Sequence, residues 1–483
     1  MTKKKFYIST SIAYTNAPPH IGYALEIIQA DVIARYRRLL GEDVFFLTGT
    51  DEHGRKVVEA AKEAGKSPKD FTDLLAKKFK KLTETLNISN DDFIRTTDQI
   101  KHWPSVRKVW LALRENGDIY KKKYKGFYCV GCEAFITKKD LESGKCRIHQ
   151  KEPEIVEEEN YFFRLSKYSK KIEEVIKKDK IRIIPESRKN EMLSFLRQGL
   201  EDISFSRPRK DLKWGIPVPD DKSQTIYVWG DALTNYISAL GYSKNSKKFK
   251  KFWPADVHCI GKDIQKFHCL IWPGMLLSLG LDLPKNILVH GFITVNGQKM
   301  SKSLGNVIDP FELVEKYGMD PVRYFLLREI PPTEDGDFTR EKFEGRYNSD
   351  LAKGLGNLVA RVIKMAQISN LQFLISNKFS KTHCSHTAKF KAEINKTWKE
   401  YHRLFNEFRF NEVLMAVWEL IGFCDKYIEQ KKPWETKDKK VIGDLLLALN
   451  HIAEMLRPFL PETSEKILKQ IKNKKSQSLF PRI

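Results

Sequence analysis

Three stretches of this chain set chemically useful side chains at spacings that would let them act together. The first, NAPPHIGYALEI, runs from Asn16 to Ile27. Pro19 suits the edge of a helix, where its missing N–H costs nothing. Gly22 leaves room for a ligand to approach the backbone. His20 falls at the helix start, where free N–H groups and the dipole favour anions. The arrangement suits a nucleotide phosphate, although the same residues would serve as a surface histidine in a capped turn. The second stretch, VNGQKMSKSLGN, spans Val295 to Asn306 and carries Lys299 and Lys302 among serines and glycines. A cationic loop of this kind can close on a triphosphate and stabilise charge on departing diphosphate. It would otherwise be solvated surface. The third set is Cys129, Cys132, Cys146 and His149, spaced C-x2-C, a gap, then C-x2-H. Two knuckles with soft sulfur ligands suit tetrahedral zinc, and four ligands leave no open position, so one structural zinc is expected. Further on, Asn357 and Arg361 share a helix face at i, i+4. Trp434, in KKPW, could stack an unpaired base or plug a helix end.

These residues need a scaffold, and the pattern around them supplies one. KKFYISTSIAY has the β-branched and aromatic mix of a strand. PPHIGYALEIIQADVIARYRRLLG follows with apolar residues at helical spacing and a glycine stop at Gly41. DVFFLTGTDEHG is a short buried strand. Strand, helix and strand at this spacing predict a βαβ unit, hence an α/β fold with a parallel sheet. Ligands in such folds sit beyond the carboxyl ends of the strands, which places 14–20 and 48–53 on one rim. A helix is expected from about Lys56 to Leu86. Near Tyr120 the character changes to a cysteine-bearing, turn-rich insertion. Strand character returns at TIYVWGDAL, DVHCIGKD and NILVHGFITV. Beyond Asn348 the periodicity is helical and predicts a bundle, interrupted by SNLQFLISNKFSKTHCSHTAKFK, which reads as a mobile connection.

Composition narrows the classes. The chain has 483 residues, 41% hydrophobic, with a formal net charge of +23. That charge fits a polyanionic partner such as nucleic acid, or a lysine-rich solvated surface. No apolar run reaches the roughly 18–20 residues of a membrane span. The basic start MTKKKFYISTSIAY has no uninterrupted apolar core, so no signal peptide and no membrane partner are expected, and a cytoplasmic location is. Seven cysteines are too few for a disulfide scaffold in a chain this long.

HIG near the N-terminus followed by KMSKS late in a parallel α/β domain resembles the signature of class I aminoacyl-tRNA synthetases. The similarity runs nearly end to end with the methionyl-tRNA synthetase family. It is carried by YTNAPPHIGYALEIIQADVIARY, FLTGTDEHG, YCVGC, KWGIPVP, YVWGDAL, GKDIQKFHCLIWPGML, VHGFITVNGQKMSKSLGN, NSDLAKGLGN, KKPW and LFPRI. The resemblance implies a Rossmann-like parallel-sheet catalytic domain at 1–117 and 226–347, the second half bearing KMSKS. It also implies a zinc-bearing connecting insertion at 118–225 and an all-α anticodon-binding bundle at 348–483. The implied reaction joins methionine and ATP into methionyl-adenylate and moves the methionyl group to the 2′-hydroxyl of the terminal adenosine of methionine tRNA, initiator and elongator alike. Magnesium accompanies ATP.

By the same resemblance His20, Lys299 and Lys302 are the catalytic phosphate partners, with Gly22, Tyr23, Glu26, Gly261, Asp263, His290 and Ser301 also at ATP. Ile12, Tyr14, Trp229, Ala232, Tyr236, Ile264 and His268 would surround the methionine side chain. Asp51 would hold its ammonium group, oriented by Arg207. Asn357, Arg361 and Trp434 would read the anticodon. Tyr23 departs from the family, which commonly has a second histidine there. No large editing insertion is visible, and no dimerisation extension follows, so a monomer is expected. The alternatives are a class I synthetase for leucine, isoleucine, valine or cysteine, a catalytically silent tRNA-binding protein on this scaffold, and a simple zinc-binding nucleic-acid module.

Overall fold

A computed structural model describes residues 3–132, 134–136, 140–148, 150–300, 305–369 and 388–483. The chain divides into two compact units, Met1–Pro19, Arg37–Glu84 and Ile88–His290 forming one, and His20–Tyr36, Thr85–Asn87 and Gly291–Ile483 the other.

The first unit is built on a sheet of seven parallel strands: β1 (Lys5–Thr10), β2 (Ala13–Tyr14), β3 (Asp43–Asp51), β4 (Asp92–Arg95), β5 (Arg182–Ile184), β6 (Val257–Gly261) and β7 (Asn286–His290). The order is β5–β7–β6–β1–β3, and β2 and β4 both pair with β3. Buried runs such as FYIST and VFFLTGTD are what a parallel sheet covered on both faces demands. Strand β1 is fixed by pairing Ile8 with Phe46 on one side and with Val257 on the other. The strand order reverses between β1 and β6, and the crevice beyond their carboxyl ends is where ligands of such folds bind. Trp110, on α4 (Trp103–Glu115), and Phe163, Phe205, Tyr236 and Trp272 fill the adjoining core.

Two expectations of local structure change. The helix expected from Lys56 to Leu86 is two helices, α2 (Arg55–Glu63) and α3 (Pro68–Thr85). Gly65 turns the chain at φ +65° and donates to the Lys62 carbonyl, closing the first. The Ser67 hydroxyl then accepts from the Asp70 N–H and donates to its carboxylate, opening the second. TIYVWGDAL is a strand only at its start. Asp221–Ile226 belongs to a three-stranded antiparallel sheet, and from Val228 the chain is helical, as α5 (Val228–Leu233) and α6 (Asn235–Ser238). Tertiary bonds to Asp231, given below, override the β-propensity of the aromatic and β-branched residues.

The insertion is a long antiparallel hairpin. Ile119–Cys129 pairs with Glu154–Phe163 from Ile119 opposite Phe163 to Tyr128 opposite Glu154, with Lys123 facing Glu159 and Lys125 facing Glu157. Opposite charges across strands stabilise such a ribbon. Its far end carries Cys129.

In the second unit, the helix α1 (Ile21–Leu39) contributes its first sixteen residues. The strands Ile293–Val295 and Gln298–Lys299 form a tight hairpin, with Asn296 and Gly297 at φ 52° and 74°, the two positive dihedrals of a type I′ turn. A third strand, Gly336–Phe338, pairs parallel with Ile293–Val295, and from Asn357 the described residues are mainly helical: α7 (Asn357–Ile368), α8 (Ala388–Asn406), α9 (Phe410–Lys431), α10 (Lys439–Leu456) and α11 (Pro461–Asn473). Fully buried Arg323 pairs with Asp31 at 2.7 Å and donates to the carbonyls of Leu86, Pro458 and Phe459. The expected α/β sheet, cysteine-bearing insertion and helical C-terminal part are all present. Most of the connection within the bundle, 370–387, lies outside the described residues. Among the described residues, no helix is long and apolar enough to cross a membrane.

Candidate active site and cysteine cluster

The nine residues expected around methionine all lie in the first unit. Tyr14 pairs with Asp51 across β2 and β3, and the Thr15 N–H donates to the Asp51 carbonyl at 2.9 Å. Asp51 is buried. Trp229 and Ala232 lie on α5 and Tyr236 on α6, while His268 sits in a π-helical turn, Phe267–Ile271. Such turns recur at functional sites because the extra residue re-aims a side chain. His268 Nδ1 lies 3.0 Å from the Ile264 carbonyl, and its Nε2 lies 2.7 Å from the Tyr236 hydroxyl. A carbonyl can only accept, so Nδ1 carries the proton and Tyr236 donates to Nε2. Burial pushes the imidazole down to about 4, so it is neutral at pH 7. Trp229 stacks on Phe267 with centroids 3.5 Å apart and meets His268 edge-on. Beneath Tyr236 lies His258, 4.1 Å between rings, held by Ser9 at 2.7 Å. Ile12 and Ile264 pack at the edge of the same core. Arg207 donates to Glu158 at 2.7 Å and lies over the Tyr128 ring.

The residues expected at ATP fall in both units. In the first, Gly261 pairs with His290 across β6 and β7. A Cβ at Gly261 would come within 2.8 Å of Asp263 Oδ1 and 3.7 Å of the His290 ring, so the three are immediate neighbours. In the second unit, His20 caps α1 twice. Its carbonyl accepts from the Tyr23 and Ala24 N–H groups, and its Nδ1 accepts from Gly22 N–H at 3.1 Å. With Nδ1 accepting, a neutral ring carries its proton on Nε2. Glu26 is buried one turn further along. The Ile21 N–H donates to the Ile308 carbonyl at 3.2 Å, and a Cβ on Gly22 would lie 3.7 Å from Met300. The HIG turn and the segments flanking KMSKS are therefore adjacent. Lys299 ends the tight hairpin, whose turn is tied to Asp337 through the Thr294 hydroxyl at 2.6 Å and the Gly297 N–H at 2.7 Å. Ser301 and Lys302 lie outside the described residues.

At the end of the insertion hairpin the sulfurs of Cys129, Cys132 and Cys146 all lie within 4.8 Å of one another. Cys132 and Cys146 are 3.5 Å apart, well beyond a disulfide bond. Burial pushes the Cys129 and Cys132 thiols up, and three thiols crowded in an apolar pocket with Phe127, Ile136 and Leu141 suit a soft metal ion. His149 lies outside the described residues.

In the bundle, Asn357 and Arg361 fall on α7 as expected. Arg361 pairs with Glu429 at 2.6 Å and with Asp425 at 3.7 Å, and its guanidinium lies 5.8 Å from the Trp434 ring. Trp434 is 44% exposed, a large indole held at the surface beside a cation.

The family described as tRNA synthetases class I (M) matches residues 6–144 and 136–363, and the anticodon-binding domain of tRNA ligase matches 388–482. The chain belongs to the class I tRNA synthetases (M). Similar members of this family include the methionine–tRNA ligase of Thermotoga maritima, 46% identical over 97% of this chain and 75% of that protein, and that of Brucella suis, 41% identical over 97% and 92%. Among solved structures, Mycobacterium tuberculosis methionyl-tRNA synthetase in complex with methionyl-adenylate matches with a TM-score of 0.90 at 37% identity, covering 99% of this chain and 100% of that one.

Some features of this class I synthetase escaped the sequence. Phe267, the stacking partner of Trp229, carries no motif of its own. A buried carboxylate, Asp231, stands between Trp229 and Ala232 and bonds to two histidines. Its only signal was a charged residue inside an otherwise apolar run.

The neutral state of His268 has a measurable consequence. Between pH 6.5 and 4 the unfolded chain takes up a proton that the folded site refuses. Stability is held above pH 6.5 and falls by up to about 3 kcal/mol as pH drops towards 4. Urea unfolding of wild type and His268→Gln across pH 4–7.5 isolates this contribution, since the variant lacks it. Parallel pH profiles would show that His268 takes up a proton equally in both states.

Proposed function

We propose that the chain is a methionine–tRNA ligase. It activates methionine with ATP to methionyl-adenylate, releasing diphosphate, and transfers the methionyl group to the 2′-hydroxyl of the terminal adenosine of initiator and elongator methionine tRNAs. The observation that carries this reading is the match, over nearly the whole chain, to a methionyl-tRNA synthetase solved with methionyl-adenylate.

Activation is an in-line attack at the α-phosphorus by a carboxylate already ionised at neutral pH. No strong base is required, so positioning and charge stabilisation carry the step. His20, Lys299 and Lys302 take the phosphate charge, with Gly22, Tyr23 and Ser301 beside them. The adjacency of the HIG turn to the residues around KMSKS supports this grouping. Glu26, Gly261, Asp263 and His290 attend the adenosine. Magnesium, bound with ATP, supplies further neutralisation of phosphate charge.

Asp51 holds the methionine ammonium group, with Arg207 as its support. The thioether packs among Ile12, Tyr14, Trp229, Ala232, Tyr236, Ile264 and His268, where polarizable sulfur is favoured by aromatic faces. A neutral His268 suits an uncharged substrate side chain. Zinc, held by Cys129, Cys132, Cys146 and His149, supplies a structural cross-link at the end of the insertion, and the three clustered thiols support that assignment. Asn357, Arg361 and Trp434 read the anticodon, and the cation–indole pairing of the last two supports it. In this reading 1–117 and 226–347 are the catalytic domain, 118–225 the connecting insertion, which also lends β5 to the catalytic sheet, and 348–483 the anticodon-binding bundle, in a cytoplasmic monomer.

Amino-acid-dependent ATP–diphosphate exchange across the twenty amino acids tests the activity. Strongest exchange with methionine is expected. Another amino acid would overturn the pocket assignment, and no exchange from folded protein would favour a silent tRNA-binding role with Tyr23 as the cause. Trp434→Ala should lower kcat/KM for tRNA in the charging assay by roughly tenfold to a hundredfold, as loss of one base stack of ~1–3 kcal/mol does. Unaltered charging would remove Trp434 from the anticodon site. Metal analysis of the purified protein should return one zinc per chain, lost in Cys146→Ser; a metal-free, fully folded wild type would refute the zinc.

A further inference from the structure

The cluster around Asp231 lies in the first unit and takes no part in the chemistry above. Its carboxylate oxygens are divided between two rings: Oδ2 lies 2.6 Å from His53 Nδ1, and Oδ1 lies 2.7 Å from His102 Nε2. His102 Nδ1 lies 2.7 Å from the Ser238 hydroxyl. All four side chains are buried. A carboxylate takes no proton to donate, so both facing ring nitrogens carry theirs. Burial pushes the Asp231 carboxyl up, but His53 and His102 together more than offset this and hold it below the usual carboxylate range. The site therefore holds a desolvated charge, which is costly unless its partners are fixed. They are. The Trp214 ring meets His53 edge-on at 5.6 Å, and Trp103 closes the other approach at 6.2 Å.

The sequence positions of these groups give the cluster its meaning. His53 follows Asp51 by two residues, past the end of β3. Asp231 lies on α5 between Trp229 and Ala232, and Ser238 follows Tyr236 by two residues on α6. The chain of hydrogen bonds His53–Asp231–His102–Ser238 thus ties together the three segments that carry the ammonium partner and the side-chain pocket. We propose that Asp231, with His53 and His102, is a positioning network for methionine, setting Asp51 at one end and Trp229, Ala232 and Tyr236 at the other. The inference rests on the functional reading above. These residues do not touch the reacting atoms, and their effect is on where the pocket residues stand.

Substitution at Asp231 separates charge from connectivity. In Asp231→Asn the amide NH2 must face a ring nitrogen without a proton. His102 can supply one by moving its proton to Nδ1, donating to Ser238, whose hydroxyl then turns to the Asn235 carbonyl 3.2 Å away. The asparagine keeps the chain of bonds, whereas Asp231→Ala breaks it. ATP–diphosphate exchange with varied methionine and varied ATP is the test. Asp231→Ala should raise KM for methionine about tenfold or more while KM for ATP stays within about twofold, and Asp231→Asn should recover most of the loss. His102→Gln, which removes one arm and leaves the carboxylate, should raise KM for methionine in the same selective way, and it decides the matter if the alanine variant does not fold. Equal effects on both substrates, a lowered melting temperature with unchanged KM for methionine, or no recovery in the asparagine variant would overturn the network. A wild type inactive with methionine would overturn the functional reading, and the network with it.

Discussion

Parallel pairing of β1 with both β3 and β6 is the constraint on which the first unit rests. A strand held between two parallel neighbours is buried on both faces and must be hydrophobic along its length. Its neighbours can be reached only through crossovers, so every functional loop emerges at the same end. The interior of the sheet leaves little freedom. A Cβ at Gly49 would sit 2.1 Å from the Ile94 carbonyl across β3 and β4, so even one methyl group would part the strands. Strand β1 also supports the floor of the proposed methionine pocket. The Tyr7 hydroxyl donates to the Tyr236 carbonyl at 2.7 Å, and Ser9 holds the His258 ring under the Tyr236 ring. Sheet register and pocket geometry are thus one problem: a slip of β1 by one residue would exchange its buried faces and displace Tyr236.

The second unit meets a comparable demand with charge. Arg323 is wholly buried, and burial lowers its basicity, yet its guanidinium finds a carboxylate and three carbonyls. Five donors in a rigid plane can satisfy that many acceptors; a lysine could not. The ion pair fastens α1, which begins at the HIG turn, to the helix Met319–Arg328 and to the turn ahead of α11. The end of α1 proposed to face phosphate is therefore held by a network three turns away, and the hairpin carrying Lys299 is held separately through Asp337.

Much of this was legible in the sequence, for identifiable reasons. The βαβ unit was legible because buried strands and an amphipathic helix differ in period, and the bundle because α8, α9 and α10 repeat theirs. The closeness of HIG to the segments around KMSKS and the clustering of Cys129, Cys132 and Cys146 were legible because motifs at such intervals are the ones phosphate and metal chemistry would demand. TIYVWGDAL was misread because its fate is decided by partners distant in sequence, His53 and His102, which no local propensity encodes. The break at Gly65 was passed over because a glycine inside a helical pattern reads equally as a tolerated defect. The π-helical turn at His268 has no periodic signal, since one extra residue in a turn leaves the apolar pattern around it helical.

The electrostatics of the pocket carry the last step. A site that removes a proton from its substrate tunes a base towards neutral pH. Burial does the opposite to the histidines here: His268 is pushed to about 4 and His258 well below its ordinary value, so both are neutral at pH 7. The Asp231 carboxyl is also shifted down, and the two rings that enclose it keep it ionised. Histidines kept neutral and a carboxylate kept ionised at pH 7 are poor proton carriers and good fixed dipoles. They suit a reaction whose nucleophile arrives ionised and whose rate depends on holding a carboxylate in line with phosphorus, and they would serve badly an enzyme that had to create its own nucleophile.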